Sequence, residues 1–154
     1  MPPWAWRRAF PQATLDAIEA AIRASETRHS GEIRFAIENS LAPGRVWRGV
    51  RGRERAIEVF SDLRVWDTEH NSGVLVYLLL ADHDIEIVAD RGIAARVEAG
   101  TWEQVAQTME AVFRNGQFEQ GALAGIARIG DLLAAHFPPA GHNPDELANQ
   151  PVIL

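Results

Sequence analysis

The stretch that decides the fold spans residues 66–92 and reads WDTEHNSGVLVYLLLADHDIEIVADRG. Its apolar run at 74–81 has the length of a strand and is rich in branched side chains, which is typical of a strand buried on both faces. A turn-forming triplet follows at 82–84, and residues 85–90 then alternate. This pattern predicts a β-hairpin in which a buried strand folds back onto a more polar neighbour. Because hairpin strands are antiparallel, we expect Asn71 and Asp90 at the same end of the sheet.

The residues before the hairpin predict a crossover connection. Residues 32–38 alternate strictly, so that Ile33, Phe35 and Ile37 share one face, as in a half-buried strand. An amphipathic helix at 53–63 separates this strand from the hairpin. A strand–helix–strand unit connects parallel strands with a right-handed crossover. The predicted sheet is therefore mixed, with one parallel and one antiparallel pair.

Three further helices are predicted from apolar residues at helical spacing, at 11–28, from Thr101 to about 114, and at 118–136. Thr101 is the expected N-cap of the middle one, and Gln104 completes a capping box. Together these elements predict an α/β protein, a three-layer α/β/α sandwich with a mixed sheet of about four strands and helices on both faces. We divide the chain into an aromatic and basic segment at 1–10, an α/β domain at 11–137 and a flexible tail at 138–154.

Composition limits the functions to consider. A chain of 154 residues with 47% hydrophobic and 23% charged residues is typical of one soluble globular domain. No apolar run approaches the roughly 18 to 20 residues that cross a bilayer, and the N-terminus lacks a signal peptide's apolar segment. We therefore expect a cytoplasmic protein. The absence of cysteine excludes thiolate metal sites, and the net charge of −6 argues against general nucleic-acid binding.

All 15 basic residues are arginines, and five of them fall at 45–55. This run has two interpretations, a solvated loop or an anion-binding site formed by Arg45, Arg48 and Arg51. Trp4 and Trp6 lie beside two more arginines, a composition that suits contact with a membrane surface or a partner. The alternative is a segment that packs on the domain. We expect another protein or a membrane complex as the partner, through Trp4, Trp6 and the 45–55 loop.

Known catalytic motifs are missing from the sequence. The five histidines form no zinc-binding helix, and neither a Gly-x-Ser-x-Gly elbow nor a phosphate-binding loop is present. The sequence therefore gives no support for serine or zinc hydrolase chemistry, and we assign no catalytic residue.

A cluster of oxygen-bearing side chains is expected at one end of the sheet. The predicted topology places Glu32, Asp67, Asn71 and Asp90 there, and such oxygens suit a hard cation. Calcium accepts flexible geometry and is favoured, while magnesium remains possible. A purely structural alternative has Asp67 capping a turn, Asn71 shaping the loop and Asp90 pairing with an arginine. A rival acidic site, Glu38, Asp82 and Asp84, is expected at the opposite end, where parallel strands usually bind ligands.

The chain resembles the TPM domain family, whose founding members include thylakoid-lumen proteins of photosystem repair. The resemblance is carried by Ser-Gly-Glu-Ile at 30–33, Asn-Ser-Gly-Val-Leu-Val-Tyr at 71–77, Ala-Asp-Arg-Gly-Ile at 89–93 and Trp102. It implies an α/β/α sandwich and gives weight to Glu32, Asn71 and Asp90. Some members are described as acid phosphatases, several bind calcium through loops at one sheet end, and others resemble accessory proteins of membrane complexes.

Two functions follow from the residues and the resemblance together. The first is a soluble TPM-type module that binds a divalent cation, with calcium expected, and has an accessory or protein-interaction role. The second is a low-activity, metal-assisted acid phosphatase, a phosphomonoesterase in which an arginine of the 45–55 loop holds the phosphate.

Overall fold

A four-stranded mixed sheet forms the centre of the protein in a computed structural model that describes residues 4–49, 51–139 and 146–154. Its strands are β1 Glu32–Glu38, β2 Gly73–Leu79, β3 Asp84–Ala89 and β4 Val152–Ile153, in the order β3-β2-β1-β4. β1 and β2 are parallel, with Glu32 opposite Gly73. β2 and β3 are antiparallel, with Val74 opposite Ala89. The predicted hairpin and the predicted parallel pair are both confirmed.

The helices of the described residues are α1 Trp6–Ala9, α2 Gln12–Ser25, α3 Pro43–Trp47, α4 Gly52–Asp62, α5 Arg91–Ala94, α6 Ala99–Arg114 and α7 Phe118–His136. A short 3-10 turn at Leu80–Asp82 joins β2 to β3. The helix predicted at 118–136 has the observed bounds, and those predicted at 11–28 and 53–63 differ from α2 and α4 by one to three residues at each end. None of these described helices is long and apolar enough to span a bilayer.

The strands bury side chains on both faces of the sheet. Ile33, Phe35 and Ile37 of β1 pack on one face with apolar residues of α2, α6 and α7. Ala36 and Tyr77 pack on the other face with α4. Such burial stabilises the fold by about 1.5–3 kcal/mol for each large apolar side chain. The three-layer α/β/α sandwich that the sequence predicts is therefore confirmed.

The start of α6 differs from the prediction. The helix begins at Ala99, with Glu98 at the N-cap, so Thr101 lies inside the first turn and the predicted capping box is wrong. The capping box considers only Thr101 and Gln104. The packing of Trp102 and Val105 against the core holds the first turns of α6 in place, and Ala99 and Gly100 extend the helix by two residues before Thr101.

The last strand comes from the tail, to which the sequence analysis assigned no element. Val152 and Ile153 pair in parallel with Ala36 and Ile37 of β1. Arg34 reinforces the return of the chain by donating to the carbonyls of residues 148 and 150, at 2.9 and 2.6 Å. A strand of two residues is too short to show a period of two in the sequence, and this is why it was missed. β4 covers an edge of β1 that would otherwise be open.

A buried histidine lies where α2 ends. His29 is fully buried, and its Nε2 lies 2.9 Å from the hydroxyl of Ser25. Burial lowers the pKa of His29 to about 4. The imidazole is therefore neutral in the folded protein at neutral pH.

We predict that His29 makes the protein less stable in mild acid. Because the folded-state pKa lies below the unfolded value of about 6.5, the unfolded chain takes up the proton first as the pH falls. The free energy of unfolding should therefore fall as the pH drops from about 6.5 to about 4, by up to about 3 kcal/mol. Urea unfolding at pH 7 and pH 4.5 measures this loss, which His29→Gln should reduce.

The comparison of the wild type with His29→Gln cancels the contribution of other titrating groups. The pKa of Asp84 and that of Glu86 are raised, mainly by burial, so these groups change stability with the opposite sign and equally in both proteins. An identical loss of stability in the wild type and in His29→Gln would contradict the assignment.

Candidate functional site

The structure brings Glu32, Asn71 and Asp90 to one end of the sheet, where β1 and β2 begin and β3 ends. The N–H of Glu32 donates to the carbonyl of Ser72 at 3.2 Å, and the N–H of Asp90 donates to the carbonyl of Gly73 at 2.9 Å. One step further, the N–H of Gly92 donates to the carbonyl of Asn71 at 2.8 Å. We call this region the β1-start end.

Thr68 shapes the loop that enters β2. Its hydroxyl accepts the N–H of Ser72 at 2.9 Å, and its carbonyl accepts the N–H of Asn71 at 3.4 Å. Asn71 has a φ of 51°, in the left-handed region that asparagine tolerates better than most residues. The turn at Asn71 presses the loop carbonyls against the start of α5.

Gly92 makes this close approach possible. A Cβ at this position would lie 2.2 Å from the carbonyl oxygen of His70 and 2.6 Å from that of Asn71. Both obstacles are backbone atoms, and the carbonyl of Asn71 is held by the N–H of Gly92, so they cannot move aside as a flexible side chain would. The two loops of the β1-start end therefore cross at a spacing that only glycine allows.

Two buried side-chain oxygens at this end have no protein partner among the described residues. Asp90 is 8% exposed, and its Oδ1 accepts the N–H of Arg91 at 2.8 Å as the cap of α5. Its Oδ2 is buried and accepts no hydrogen bond there, and the same is true of the fully buried hydroxyl of Ser72. A buried polar atom without a partner costs about 1–3 kcal/mol. These oxygens are therefore the atoms that a ligand would satisfy.

Glu32 is held by the returning tail. It is 2% exposed, and its Oε1 accepts the N–H of Glu146 at 2.8 Å. The Oε2 of Glu146 in turn accepts the N–H of Glu69 at 2.9 Å. Glu146 is a residue of this end that the sequence analysis missed, because the tail was expected to be flexible. The apolar triplet at 152–154 was the signal that the tail returns to the sheet.

Asp67 has a different environment from the other predicted ligands. Its side chain is 57% exposed and forms an ion pair with Arg64 at 3.3 Å. Across the described ranges, no three His, Cys, Asp or Glu side chains are grouped so that they could hold a metal. Glu32, Asp67 and Asp90 therefore do not form a three-carboxylate site, and a cation here would depend on amide and backbone oxygens as well.

A polar pocket of about 430 Å³ lies against Asn71 and Gly92. Arg96, His70 and His136 are among its lining residues. Arg96 donates to the carbonyl of His136 at 2.8 Å, and its guanidinium carbon lies 4.7 Å from the ring centroid of Phe137. The pocket thus places one permanent cation and two imidazoles beside the loop that carries Asn71.

At the opposite end, the predicted acidic site is engaged in internal interactions. Glu38 accepts a hydrogen bond of 2.6 Å from the hydroxyl of Tyr77 and two, of 2.8 and 3.2 Å, from Arg55. The hydrogen bond to Glu38 raises the pKa of Arg55, and burial together with the Glu38 carboxylate raises the pKa of Tyr77. This network joins α4 to the sheet and uses both oxygens of Glu38.

The other two residues of that predicted site, Asp82 and Asp84, have different surroundings from Glu38. Asp84 packs its carboxylate against Gly52 at the start of α4. Burial raises the pKa of Asp84, and the nearby Glu110 and Asp82 carboxylates add to the effect. Asp82 is exposed. Across the described chain, no grouping of three such side chains suits a metal at this end either, so the rival acidic site stays a prediction.

The arginines of the 45–55 loop lie away from the β1-start end. Arg45 forms an ion pair with Glu58 at 2.5 Å, whereas Arg48 and Arg51 are exposed. α4 starts beside Asp84, at the end of the sheet where β3 begins. The chain after α4 runs back to the β1-start end, where the backbone of Val65 lies close against Gly73. The loop before α4 is therefore at the far end of the sheet. Arg45, Arg48 and Arg51 therefore stay a predicted anion site, at the end of the sheet opposite Asp90.

Comparison with known proteins identifies the family. The family model described as the TPM domain matches residues 7–132, so the chain belongs to the TPM domain family. A search of curated proteins gives no match.

Two solved structures share the fold. The NMR structure of the BA42 protein from the psychrophilic bacterium Bizionia argentinensis is 32% identical, with a TM-score of 0.81 over 92% of this chain and 93% of that chain. The solution NMR structure of the N-terminal domain of a protein from P. gingivalis is 16% identical, with a TM-score of 0.67 over 85% of this chain and 82% of that chain. The second similarity concerns the fold alone.

We predict that Gly92→Ala destabilises the protein by about 1–3 kcal/mol, because the added methyl group cannot be accommodated without separating the two loops. Chemical denaturation gives the free energy of unfolding, and amide NMR shifts at residues 70–72 report the displacement of the loop.

Gly100→Ala is the matched control. A Cβ at Gly100 of α6 would meet nothing within 4 Å, so this variant should be as stable as the wild type or more stable by about 0.5–1 kcal/mol. If Gly92→Ala were as stable as Gly100→Ala, the close crossing of the loops would be refuted.

Proposed function

We propose that this TPM domain binds a divalent cation, with calcium preferred, at the β1-start end. The observation that carries the proposal is the buried Oδ2 of Asp90, which has no partner among the described residues, next in the sheet to a loop whose Ser72 hydroxyl is also unsatisfied. Calcium takes about six to eight oxygen ligands in flexible geometry, and backbone carbonyls can supply several of them. The chemistry of these oxygens fits such an ion.

The proposed ligands are the carboxylates of Asp90 and Glu32 and the amide of Asn71. Asp67 joins this set by leaving its ion pair with Arg64, an exchange that costs little because an exposed ion pair contributes at most about 1 kcal/mol. Magnesium is the weaker candidate, since it demands a regular octahedron that crossing loops do not readily provide. Binding would tie the loop at 67–72 to the start of α5.

We predict that Asp90→Asn weakens calcium binding by tenfold or more. Asparagine preserves the acceptor that caps α5 and removes only the negative charge, so the fold should be retained. Isothermal titration calorimetry of metal-stripped protein measures the affinity, with magnesium titrated in parallel. Melting temperature should rise with calcium in the wild type, because a ligand of the folded state stabilises it.

Asp16→Asn is the control for loss of charge alone. Asp16 is exposed on α2 and accepts a hydrogen bond from Gln12 within the same helix. Calcium affinity should be unchanged in this variant. If Asp90→Asn bound calcium as tightly as Asp16→Asn, the β1-start end would be ruled out as the site.

We also propose an accessory role through a surface at the other end of the sheet. Trp47 is 92% exposed and its neighbour Val46 is 61% exposed on α3, close in sequence to the exposed Arg48. Trp4 is 59% exposed, and the adjoining residue 5 lines a pocket with Leu80, just after β2. Exposed tryptophan beside arginine is the composition of interaction surfaces. The partner would be another protein or a membrane complex.

Trp6 does not belong to that surface. It packs against the main core, and Arg7 lies over its ring with 5.4 Å between the guanidinium carbon and the ring centroid. The substitution of Val46 and Trp47 by serine removes apolar area without touching the core. Partner capture should be compared between this double variant and the wild type.

The alternative function is a metal-assisted phosphomonoesterase, and the pocket beside Asn71 is the observation that favours it. A cation held at Asp90 would supply the charge that polarises a phosphoryl oxygen and lowers the pKa of a bound water. In the protein itself, Arg96 is placed to hold the phosphate once it releases the carbonyl of His136, and the imidazole of His70 lines the same space. In this alternative, Arg96 takes the role that the sequence analysis gave to an arginine of the 45–55 loop.

For this alternative we predict that hydrolysis of an aryl phosphate falls about 100-fold in Arg96→Gln, a loss typical of removing one cationic or hydrogen-bonding group from a transition state. The matched control is Arg128→Gln, since Arg128 is exposed on α7 away from this pocket. Activity that survives purification but is indifferent to Arg96→Gln and to Asp90→Asn would exclude this pocket as its origin.

A further inference from the structure

β3 is the outer strand of the sheet and has one side open. Asp90 turns its N–H inward to Gly73, so the even-numbered residues of β3 bond to β2 and the odd-numbered residues turn their backbone groups outward. Two of these outward groups are covered by side chains. Glu110 accepts the N–H of Ile85 at 3.2 Å, and Arg53 donates to the carbonyl of Ile87 at 2.7 Å. The N–H groups of Ile87 and Ala89 remain on the same outward side.

A groove of about 430 Å³ runs along this open edge. Ile87 and Ala89 line it on the strand side, and Val97, Trp102 and Ala106 line it on the side of α6. An exposed strand beside a helix is the arrangement in which extended peptides add to a sheet as a further strand. The volume is sufficient for a few residues of such a peptide.

Trp102 gives an independent indication that the groove accepts a ligand. The residue is 7% exposed, and its indole Nε1 is buried without an acceptor among the described residues. A buried N–H group without a partner is unfavourable, and an acceptor brought by a ligand would recover that cost. A peptide carbonyl is such an acceptor.

The charge of the groove defines the ligand further. Glu86 and Glu103 line it, and Arg53 is the one cation among its lining residues. Burial raises the pKa of Glu86, and the neighbouring carboxylates, Asp84 first among them, raise it further. A cationic ligand relieves this repulsion. A second copy of the chain would bring the same carboxylates to the same edge, so charge disfavours self-pairing.

We propose that the groove between β3 and α6 binds an extended peptide segment of another protein, one that carries lysine or arginine side chains. The segment adds to the sheet as a strand beside β3, accepts hydrogen bonds from the N–H groups of Ile87 and Ala89 and from the indole of Trp102, and pairs its basic side chains with Glu86 and Glu103. This site uses different atoms from the proposed cation site and does not depend on it.

The test is an amide NMR titration of the full chain with two acetylated octapeptides, in which valine alternates with lysine or with glutamate. The lysine peptide should shift the amides of Ile87 and Ala89 and the indole N–H of Trp102, and should bind at least tenfold more tightly than the glutamate peptide. A lysine peptide methylated on every amide nitrogen should not bind, because it keeps the charge but the methyl groups that face β3 block the close approach of a paired strand.

Two matched variants isolate the indole. Trp102→Phe keeps an aromatic ring in the core and removes the N–H, so the affinity for the lysine peptide should fall about tenfold, the equivalent of one hydrogen bond. Trp66→Phe is the control, because Trp66 is 44% exposed and its indole donates to the backbone carbonyl of Ser61 near the end of α4, away from the groove. Its affinity should equal that of the wild type.

Several results would overturn the proposal. Absence of shifts at Ile87 and Ala89 with a tenfold excess of the lysine peptide would remove the site. Equal binding of the lysine and glutamate peptides would remove the charge argument. Binding of the methylated peptide would exclude strand addition. Sedimentation could instead show a dimer, and hydrogen exchange could show that the same two amides are protected without any peptide. That result would mean that a second copy of the chain occupies the edge.

Discussion

The burial of β2 on both faces is the constraint on which the rest of the structure depends. All seven of its residues are buried, and it pairs with β1 on one side and β3 on the other. Its alternate side chains reach two separate cores, one under α2, α6 and α7 and the other under α4. Because β2 must be covered from both faces, helices on both sides and a crossover into the strand follow from it.

The same constraint explains why the two ends of the sheet differ. Where β1 and β2 start, the loop carbonyls are pressed against Gly92 and two buried oxygens lack protein partners in the described chain. Where these strands finish, the charged groups satisfy one another through Glu38, Arg55 and Tyr77. One end is organised to stabilise the fold, and the other retains unmet hydrogen-bonding capacity. This contrast is the basis on which we propose the β1-start end as a ligand site.

The sequence predicted what depends on periodicity and on chain direction. It identified β1, β2, β3 and the long helices, and from their order it placed Asn71 and Asp90 together. It could not predict contacts that depend on side-chain packing or on very short elements, such as the ion pair that occupies Asp67, the first turn of α6, or the strand at 152–153. Glu146 was missed for the same reason, because it comes close to Glu32 only where the tail runs back to pair with β1 as β4.

The pairing of β4 with β1 has a kinetic consequence. Arg34 and its acceptor at residue 148 are 114 positions apart, so this contact closes a loop that includes nearly the whole domain. Contacts of such separation form slowly, because the chain must lose much of its conformational freedom before they become favourable. We therefore expect β4 to dock late in folding, and its pairing covers an edge of β1 that would otherwise be open to another chain.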